Sequence, residues 1–402
     1  MRATERRVSE EIRESTESLL TELCAISSES GNADGLRQVA TRLATELERR
    51  GLSAAIGEER NPDGVLQPLL VARGPERSER HLLLVGHLDT VLPAITPQRV
   101  DRRLIATGAL DMKGGLAMMV GALDLLAARG ERPPADLVLV AVPDEEVGGE
   151  ISGPAVRQWS EHARAVLVIE PGERRGDGET LVAGRRGLTE WRLEITGRAS
   201  HSGLALWNGR SALAAAAEWC QLAQGLSRRG GRPTVNVGRL VAGTADFVDR
   251  LAENHAMLGT SRQRNVVPDR AVAEGEARYL NPADAASVLD ELAALSQRIA
   301  AEREVAARFE LGMAVPPVDP HGPGEPLVRR TVELAAARGF RLEVEEDRGG
   351  ISFPNYLTDP SHIPVVDGLG PVGEGMHTRE EYLDLDSLER RIVLFADLLA
   401  TL

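Results

Sequence analysis

Apolar residues recur at helical spacing near the start of the chain and then gather into short unbroken runs. Leu19, Leu20 and Leu23, followed by Val39, Leu43 and Leu47, predict helices between residues 9 and 50, with Gly51 as a C-terminal stop. Leu69 to Ala72, His81 to Val85, Asp136 to Val142 and Ala165 to Ile169 are runs of strand length, bounded by polar residues. Between them Gly114 to Arg129, rich in Ala, Leu and Met, predicts a helix. Strands alternating with helices imply an α/β sheet covered on both faces. Such sheets bind ligands beyond the C-terminal ends of their strands. His87, Glu145, Glu146 and Glu170 all sit just past predicted strand ends, so three strands deliver metal-compatible side chains to one edge.

The pattern changes near Gly187. Thr189 to Thr196 alternates as a half-buried strand does. A helix (Ser211 to Leu226), two strands (Thr234 to Leu240, Ala271 to Leu280), a helix (Ala283 to Ala301) and a strand (Ala307 to Gly312) follow. That order suits a small ferredoxin-like α+β sandwich. The Pro-rich stretch from Val315 to Pro326 then returns the chain to the first domain, where Leu327 to Arg338 reads as a helix and Ile363 to Val366 as a last strand. The expected organisation is a doubly wound α/β domain of residues 1–185 and 315–402, interrupted by an α+β domain of residues 186–314.

Composition narrows the classes. With 402 residues the chain is too long for one ordinary core. Its 42% hydrophobic and 27% charged residues are those of a globular protein. No apolar run approaches the ~20 residues that span a bilayer, and the charged start of the chain lacks the apolar segment of a secretory signal. Cys24 and Cys220 are too far apart to suggest a disulfide framework, so a cytoplasmic protein is expected. A net charge of −14 argues against nucleic acid as a partner. The basic residues are arginines except Lys113, the one lysine in the chain.

A dinuclear hydrolytic site needs a bridging carboxylate, His and carboxylate ligands on each metal, and a base near the water. His87-Leu88-Asp89 fits part of this, because alternate residues of extended backbone point to one side and Asp89 then buttresses His87. A structural pair on a loop is the more ordinary explanation of that spacing. Asp111-Met112-Lys113-Gly114-Gly115 places an acid and glycines at a helix start, where Asp also serves as an N-cap. Asp144-Glu145-Glu146 puts three acids together after a buried strand; they repel one another unless a cation sits among them, the alternative being a solvated acidic turn.

Taken together, Gly86-His87-Leu88-Asp89-Thr90-Val91, Asp111 to Gly115, Asp144-Glu145-Glu146-Val147-Gly148, Val168-Ile169-Glu170-Pro171, Ala199-Ser200-His201-Ser202-Gly203 and Gly368 to Thr378 resemble, in order, the motifs of the M20 metallopeptidases. That family includes glutamate carboxypeptidases, aminoacylases, acetylornithine deacetylases and succinyl-diaminopimelate desuccinylases. The resemblance implies two divalent metal ions, zinc in the first instance with cobalt or manganese as alternatives. Asp111 would bridge them, His87 and Glu170 would complete one, and Glu146 and His377 the other. Glu145 would be the general base and Asp89 would orient His87. The peptide after the bridging Asp is often cis in this family. The inserted domain would be a lid through which the chain forms a homodimer, with His201 reaching a partner's site to stabilise the oxyanion. Lys113 receives no firm role; neutralising the crowded acids is the one considered.

Substrate contacts are less determined. Arg278 matches a lid arginine that meets the substrate carboxylate in carboxypeptidase-like relatives, but a surface salt bridge explains it equally well. Asn236 and Asn265 are candidates for substrate backbone or simple turn formers. Gly349-Gly350-Ile351-Ser352 resembles a substrate-side glycine turn in which Gly350 allows close approach. Relatives usually carry Asp after that serine. Here Phe353 follows, which suggests a more apolar pocket. His255, in a lid segment longer than usual, either lines the site or lies at a dimer interface, the latter favoured. The resulting expectation is a metal-dependent amide hydrolase acting on a short peptide or N-acyl amino acid, carboxypeptidase-like, with an N-acyl amino acid deacylase as the close alternative. A repurposed scaffold or acyl transferase is the alternative of another class.

Overall fold

The computed structural model describes residues 8–230, 232–254 and 265–402. Contacts divide the chain into two compact units: Met1–Arg185 with Asp319–Leu402, and Arg186–Val318.

The first unit opens with helices α1 (Glu10–Ala25) and α2 (Ala33–Arg49). Ser9 and Asn32 cap them by accepting from the backbone N–H of Ile12 and Gly35. Strands β1 (Ser53–Arg60), β2 (Leu66–Arg73), β3 (His81–His87), β4 (Gln98–Val100) and β5 (Arg103–Ile105) follow. Then come α3 (Lys113–Ala128), β6 (Leu137–Val142), α4 (Ser152–Ser160), β7 (Ala163–Val168), β8 (Arg174–Arg175) and β9 (Gly178–Val182).

The second unit contains β10 (Gly187–Thr196), α5 (Ala212–Gln224), β11 (Thr234–Gly243), α6 (Ala245–Asn254), β12 (Arg270–Tyr279), α7 (Pro282–Arg303) and β13 (Ala306–Val315). The chain returns to the first unit with α8 (Glu325–Ala337), β14 (Leu342–Glu345), the single turn α9 (Phe353–Tyr356), β15 (Val365–Val366), β16 (Gly373–Glu374), β17 (Tyr382–Asp384) and α10 (Leu385–Leu399).

The main sheet runs β1-β2-β6-β3-β7-β15. Its β6, β3, β7 and β15 are parallel, and β1 and β2 add an antiparallel edge. All six residues of β6 are buried, as expected for a strand covered on both faces. From β3 the chain crosses by α3 to β6 on one side; from β6 it crosses by α4 to β7 on the other. Right-handed crossovers in opposite directions put α3 and α4 on opposite faces. They also open a crevice at the C-terminal ends of these strands. A second, four-stranded sheet, β16-β17-β5-β4, pairs Tyr382 with Ile105. It ties the C-terminal segment to the loop before α3.

The second unit is a sheet of order β11-β12-β10-β13, antiparallel throughout. With α5 and α7 this is the βαββαβ order expected of a ferredoxin-like domain. Trp191, Leu193 and Ile195 point from β10 into a core with Trp219, Val288 and Leu292. The Trp191 and Trp219 rings meet edge to face at 5.0 Å. Their alternation leaves Arg192 and Glu194 on the opposite face. Among the described residues no helix is long and apolar enough to cross a membrane.

Candidate metal centre

Three strand ends and two loops converge at the crevice. His87 closes β3; Glu145 and Glu146 begin a one-turn 3-10 helix after β6; Glu170 lies just past β7. Asp111 precedes α3, and its peptide bond to Met112 is cis. Gly115 lets the start of α3 come this close: a Cβ there would stand 2.1 Å from the Ile169 carbonyl oxygen, next to Glu170. His377 sits on the turn between β16 and β17, with φ of 64°.

Asp111 turns one oxygen to each imidazole. His87 Nε2 lies 3.1 Å from Asp111 Oδ1 and 3.7 Å from Glu170 Oε1. His377 Nε2 lies 3.3 Å from Asp111 Oδ2 and 3.2 Å from Glu146 Oε2. The ligand atoms of His87, Asp111 and Glu146 all fall within 4.8 Å of one another, as do those of His87, Glu145 and Glu170.

Burial is the main cause of the carboxylate shifts. It pushes Glu146 up to about 8, with Asp111 and Glu145 adding repulsion and the two imidazoles offsetting only part. It raises Glu170 well above the usual range despite His87, and it raises Glu145 as well. For Asp111 burial is outweighed by hydrogen bonds from His377 and His87, which hold the carboxyl below its ordinary range. The imidazoles respond in kind. Burial opposes the charge on His87, but Glu170, Asp111 and Asp89 raise it well above normal. The hydrogen bond to Asp111 lifts His377 to about 9. The cluster is thus short of positive charge, and it draws protons to make up the deficit.

A divalent cation fits. The donors are imidazole nitrogen and carboxylate oxygen, the set that suits zinc and its first-row neighbours. Glu146 Oε1 is buried and has no hydrogen-bond partner. In the neutral ring, His87 Nδ1 donates to the Asp89 carbonyl oxygen at 2.9 Å, which leaves the Nε2 lone pair facing Asp111 and Glu170.

Asp89 does more than its spacing suggested. Its Oδ1 is 3.3 Å from His87 Nδ1. Its carboxylate also accepts from the backbone N–H groups of Glu145 and Glu146, each at 3.2 Å, and from Ser30 Oγ at 2.7 Å. One buried side chain therefore sets both the imidazole and the acidic turn. The three consecutive acids separate by job: Asp144 accepts from the Ile151 and Ser152 backbone at the start of α4, while Glu145 and Glu146 face the cluster.

Lys113 Nζ donates to the carbonyl oxygens of Leu23 and Ile26, at 3.0 and 2.9 Å, and so caps the end of α1, while its charge also interacts with Glu381, Glu29 and Asp89. Phe353 is fully buried, its ring centroid 6.2 Å from that of His87, so it places an apolar surface behind a site residue. Glu381 was missed. Its carboxylate accepts from three backbone N–H groups of the Asp111 loop. The only signal was an acid four residues after His377.

The remaining candidates have partners of their own. The Gly350 carbonyl accepts from Arg185 Nη1 at 2.9 Å, and Arg185 Nε is held by Asp367 at 2.6 Å. A Cβ on Gly350 would approach nothing closer than Arg185 at 3.9 Å, so packing within the unit does not demand glycine. His201, Asn236, Asn265 and Arg278 belong to the second unit. His201 Nδ1 accepts from the N–H groups of Gly203 and Leu204, at 3.1 and 3.2 Å. Its proton is therefore on Nε2, on an exposed ring. The Asn265 carbonyl accepts from the Ser202 N–H. Asn236 is exposed and stands opposite Glu276, to which Arg278 Nε donates at 2.7 Å. His255 lies outside the described residues.

Comparison with known proteins places this arrangement. The sequence model described as "Peptidase family M20/M25/M40" matches residues 83–401. Carboxypeptidase G2 of Pseudomonas sp. (strain RS-16) is 29% identical over 392 residues, 95% of this chain and 88% of that protein. A succinyl-diaminopimelate desuccinylase of Rhodopseudomonas palustris (strain BisB5) is 27% identical, over 79% of this chain and 81% of its own length. Among solved structures, the Bacillus subtilis YXEP protein, a dinuclear metal binding peptidase from the M20 family, superposes with a TM-score of 0.69 at 18% identity, covering 98% of each chain. That likeness establishes the fold.

Proposed function

The chain belongs to peptidase family M20/M25/M40 and is a metal-dependent hydrolase of amide bonds, and from that premise we propose that it is a carboxypeptidase-like enzyme releasing an amino acid with a free α-carboxylate. The observation that carries the chemistry is the division of Asp111 between two imidazole–glutamate pairs. The match to a carboxypeptidase over 95% of this chain supports the substrate class.

On this reading His87, Asp111 and Glu170 hold one divalent cation, and Glu146, Asp111 and His377 hold a second. Zinc suits the donors, and cobalt or manganese could replace it. Such a pair polarises the scissile carbonyl and lowers the pKa of water. Glu145 takes the proton from the attacking water and passes it to the leaving nitrogen, a task that its raised pKa suits. Asp89 keeps His87 and the Glu145–Glu146 turn in register. His201 offers its Nε2–H to the developing oxyanion of a partner subunit's substrate. Arg278, released from Glu276, binds the substrate carboxylate, Asn236 and Asn265 contact the substrate backbone, and the Gly350 turn leaves room for the ligand.

The homodimer this requires is supported by exposed apolar residues of the second unit: Leu213 and Leu222 of α5, and Leu204, Leu206 and Trp207 just after His201. Free cysteines at Cys24 and Cys220 fit a cytoplasmic setting.

A substrate panel tests the reading. Dipeptides and N-acyl amino acids would be compared with the same compounds amidated at the terminal carboxylate. Turnover should need the free carboxylate; equal turnover of both sets sinks the carboxypeptidase assignment. The desuccinylase relative favours a second reading, an N-acyl amino acid deacylase. Competition between N-acetyl amino acids and acyl-glutamates separates the two.

A further inference from the structure

Glu381 is 3% exposed and carries a carboxylate beside that of Asp111, an unfavourable placement for two like charges. Its hydrogen bonds show what offsets that cost. Oε2 accepts from the Gly108 N–H at 3.0 Å; Oε1 accepts from the N–H groups of Leu110 and Asp111, at 2.8 and 3.0 Å. Three donors from four consecutive residues end on one side chain. Both oxygens are used, so a glutamine, with one oxygen, cannot satisfy all three. An aspartate is one methylene too short for the same reach.

The backbone around it is held from both sides. The Ala106 N–H donates to the Glu381 carbonyl at 3.1 Å, and β5 pairs with β17 immediately beyond. At the far end of the loop the Lys113 N–H donates to the Gly108 carbonyl at 2.9 Å, while Lys113 Nζ anchors to the end of α1. Glu381 also stands on the hairpin that carries His377, since β16 and β17 pair across that turn.

We propose that Glu381 is a positioning residue for the metal centre: it fixes the backbone of Asp111 and locks the Asp111 loop to the His377 hairpin. The inference rests on the dinuclear reading above. Because Asp111 gives an oxygen to each imidazole, a tilt of its loop disturbs both metal positions. The position shared with His377 suffers more, since Glu381 holds both of its supporting segments. Partners that orient ligands in this way are typically worth about 10–100-fold in metal affinity or activity.

The test is a titration with metal alone. Zn²⁺ and Co²⁺ would be added to metal-stripped wild type and Glu381→Gln, followed by calorimetry and, for cobalt, by its visible absorption. Wild type should take up two ions per chain. E381Q should bind at least one of them about 10–100-fold more weakly, with an altered cobalt spectrum and a kcat that falls more than KM rises. If wild type does not bind two ions, the dinuclear reading itself fails. If wild type binds two and folded E381Q binds two with the same affinities, this inference is overturned and the dinuclear reading stands. A lower melting temperature of the metal-free variant with unchanged affinity also overturns it, because that is a structural role only. Should E381Q not fold, Glu381→Asp serves in its place: weakened binding supports the role, and wild-type affinity removes it.

Discussion

On the face of the inserted sheet turned away from α5 and α7, Glu194 and Glu274 stand among arginines; at the strand ends of the first unit, Glu145, Glu146 and Glu170 stand among one another and two imidazoles. Arg192 binds both Glu194 and Glu274, Arg239 joins Glu274 at 2.9 Å, and Arg270 reaches Glu194. These arginines hold both carboxyls below the usual range. At the strand ends burial acts without arginine partners in those ion pairs, and the carboxyls rise. Glu179 shows that burial is not enough to explain the contrast. It is 3% exposed, yet Arg390 and Arg391 bind its two oxygens and outweigh burial, so it too lies low. Crowded acids mark a metal centre when they are buried and their counter-charge is missing from the side chains around them.

Replacement of Glu145 by Gln breaks the contrast most severely. The base would be lost while the ligands stay, and kcat should fall by about 10²–10⁴-fold with metal content unchanged. Unchanged turnover would remove Glu145 from that role. Glu179→Gln probes the buried, paired case. Leaving Arg391 without its partner should cost about 3–5 kcal/mol, read from urea unfolding, with metal stoichiometry untouched. The pH dependence has a definite sign. Because the folded pKa of Glu179 is depressed below 4.5, its contribution is complete above that value and is lost as pH falls through the lower, folded one. Wild type should therefore lose stability below about pH 4.5 by more than E179Q does; parallel pH profiles would contradict the assignment. The smallest effect belongs to the solvated ladder. Glu274→Gln should shift stability by only ~0.2–1 kcal/mol and diminish further in high salt. A loss comparable to that in E179Q would mean the sheet face is not the screened surface it resembles.

Most of the nine strands and six helices expected from the sequence pattern were readable because they bury an apolar face, as β3, β6, β7 and α3 do. Most of the strands that escaped notice lack such a signal; β9, with all five residues buried, is an exception. β1, Ser53–Arg60, is mostly exposed along its length, and β5, β16 and β17 are two or three residues long, below any period. Those short strands are what bring His377 and Glu381 to the Asp111 loop. Hence His377 was found only through its motif, and Glu381 not at all.

The sequence by itself determined the kind of chemistry: the residue types, their order, and the placement of His87, Glu146 and Glu170 at strand ends follow from local pattern and strand direction. Tertiary structure alone decided what each acid does. Asp144, Glu145 and Glu146 are neighbours of one type, yet one closes a helix start and two face the cluster. Asp89 reaches His87 chiefly through its carbonyl, Lys113 caps the end of α1, and Glu381 arrives from 270 residues beyond Asp111. A carboxylate acts through the direction of its oxygens and the donors they meet. Those are set by packing between segments far apart in the chain, which no local spacing encodes.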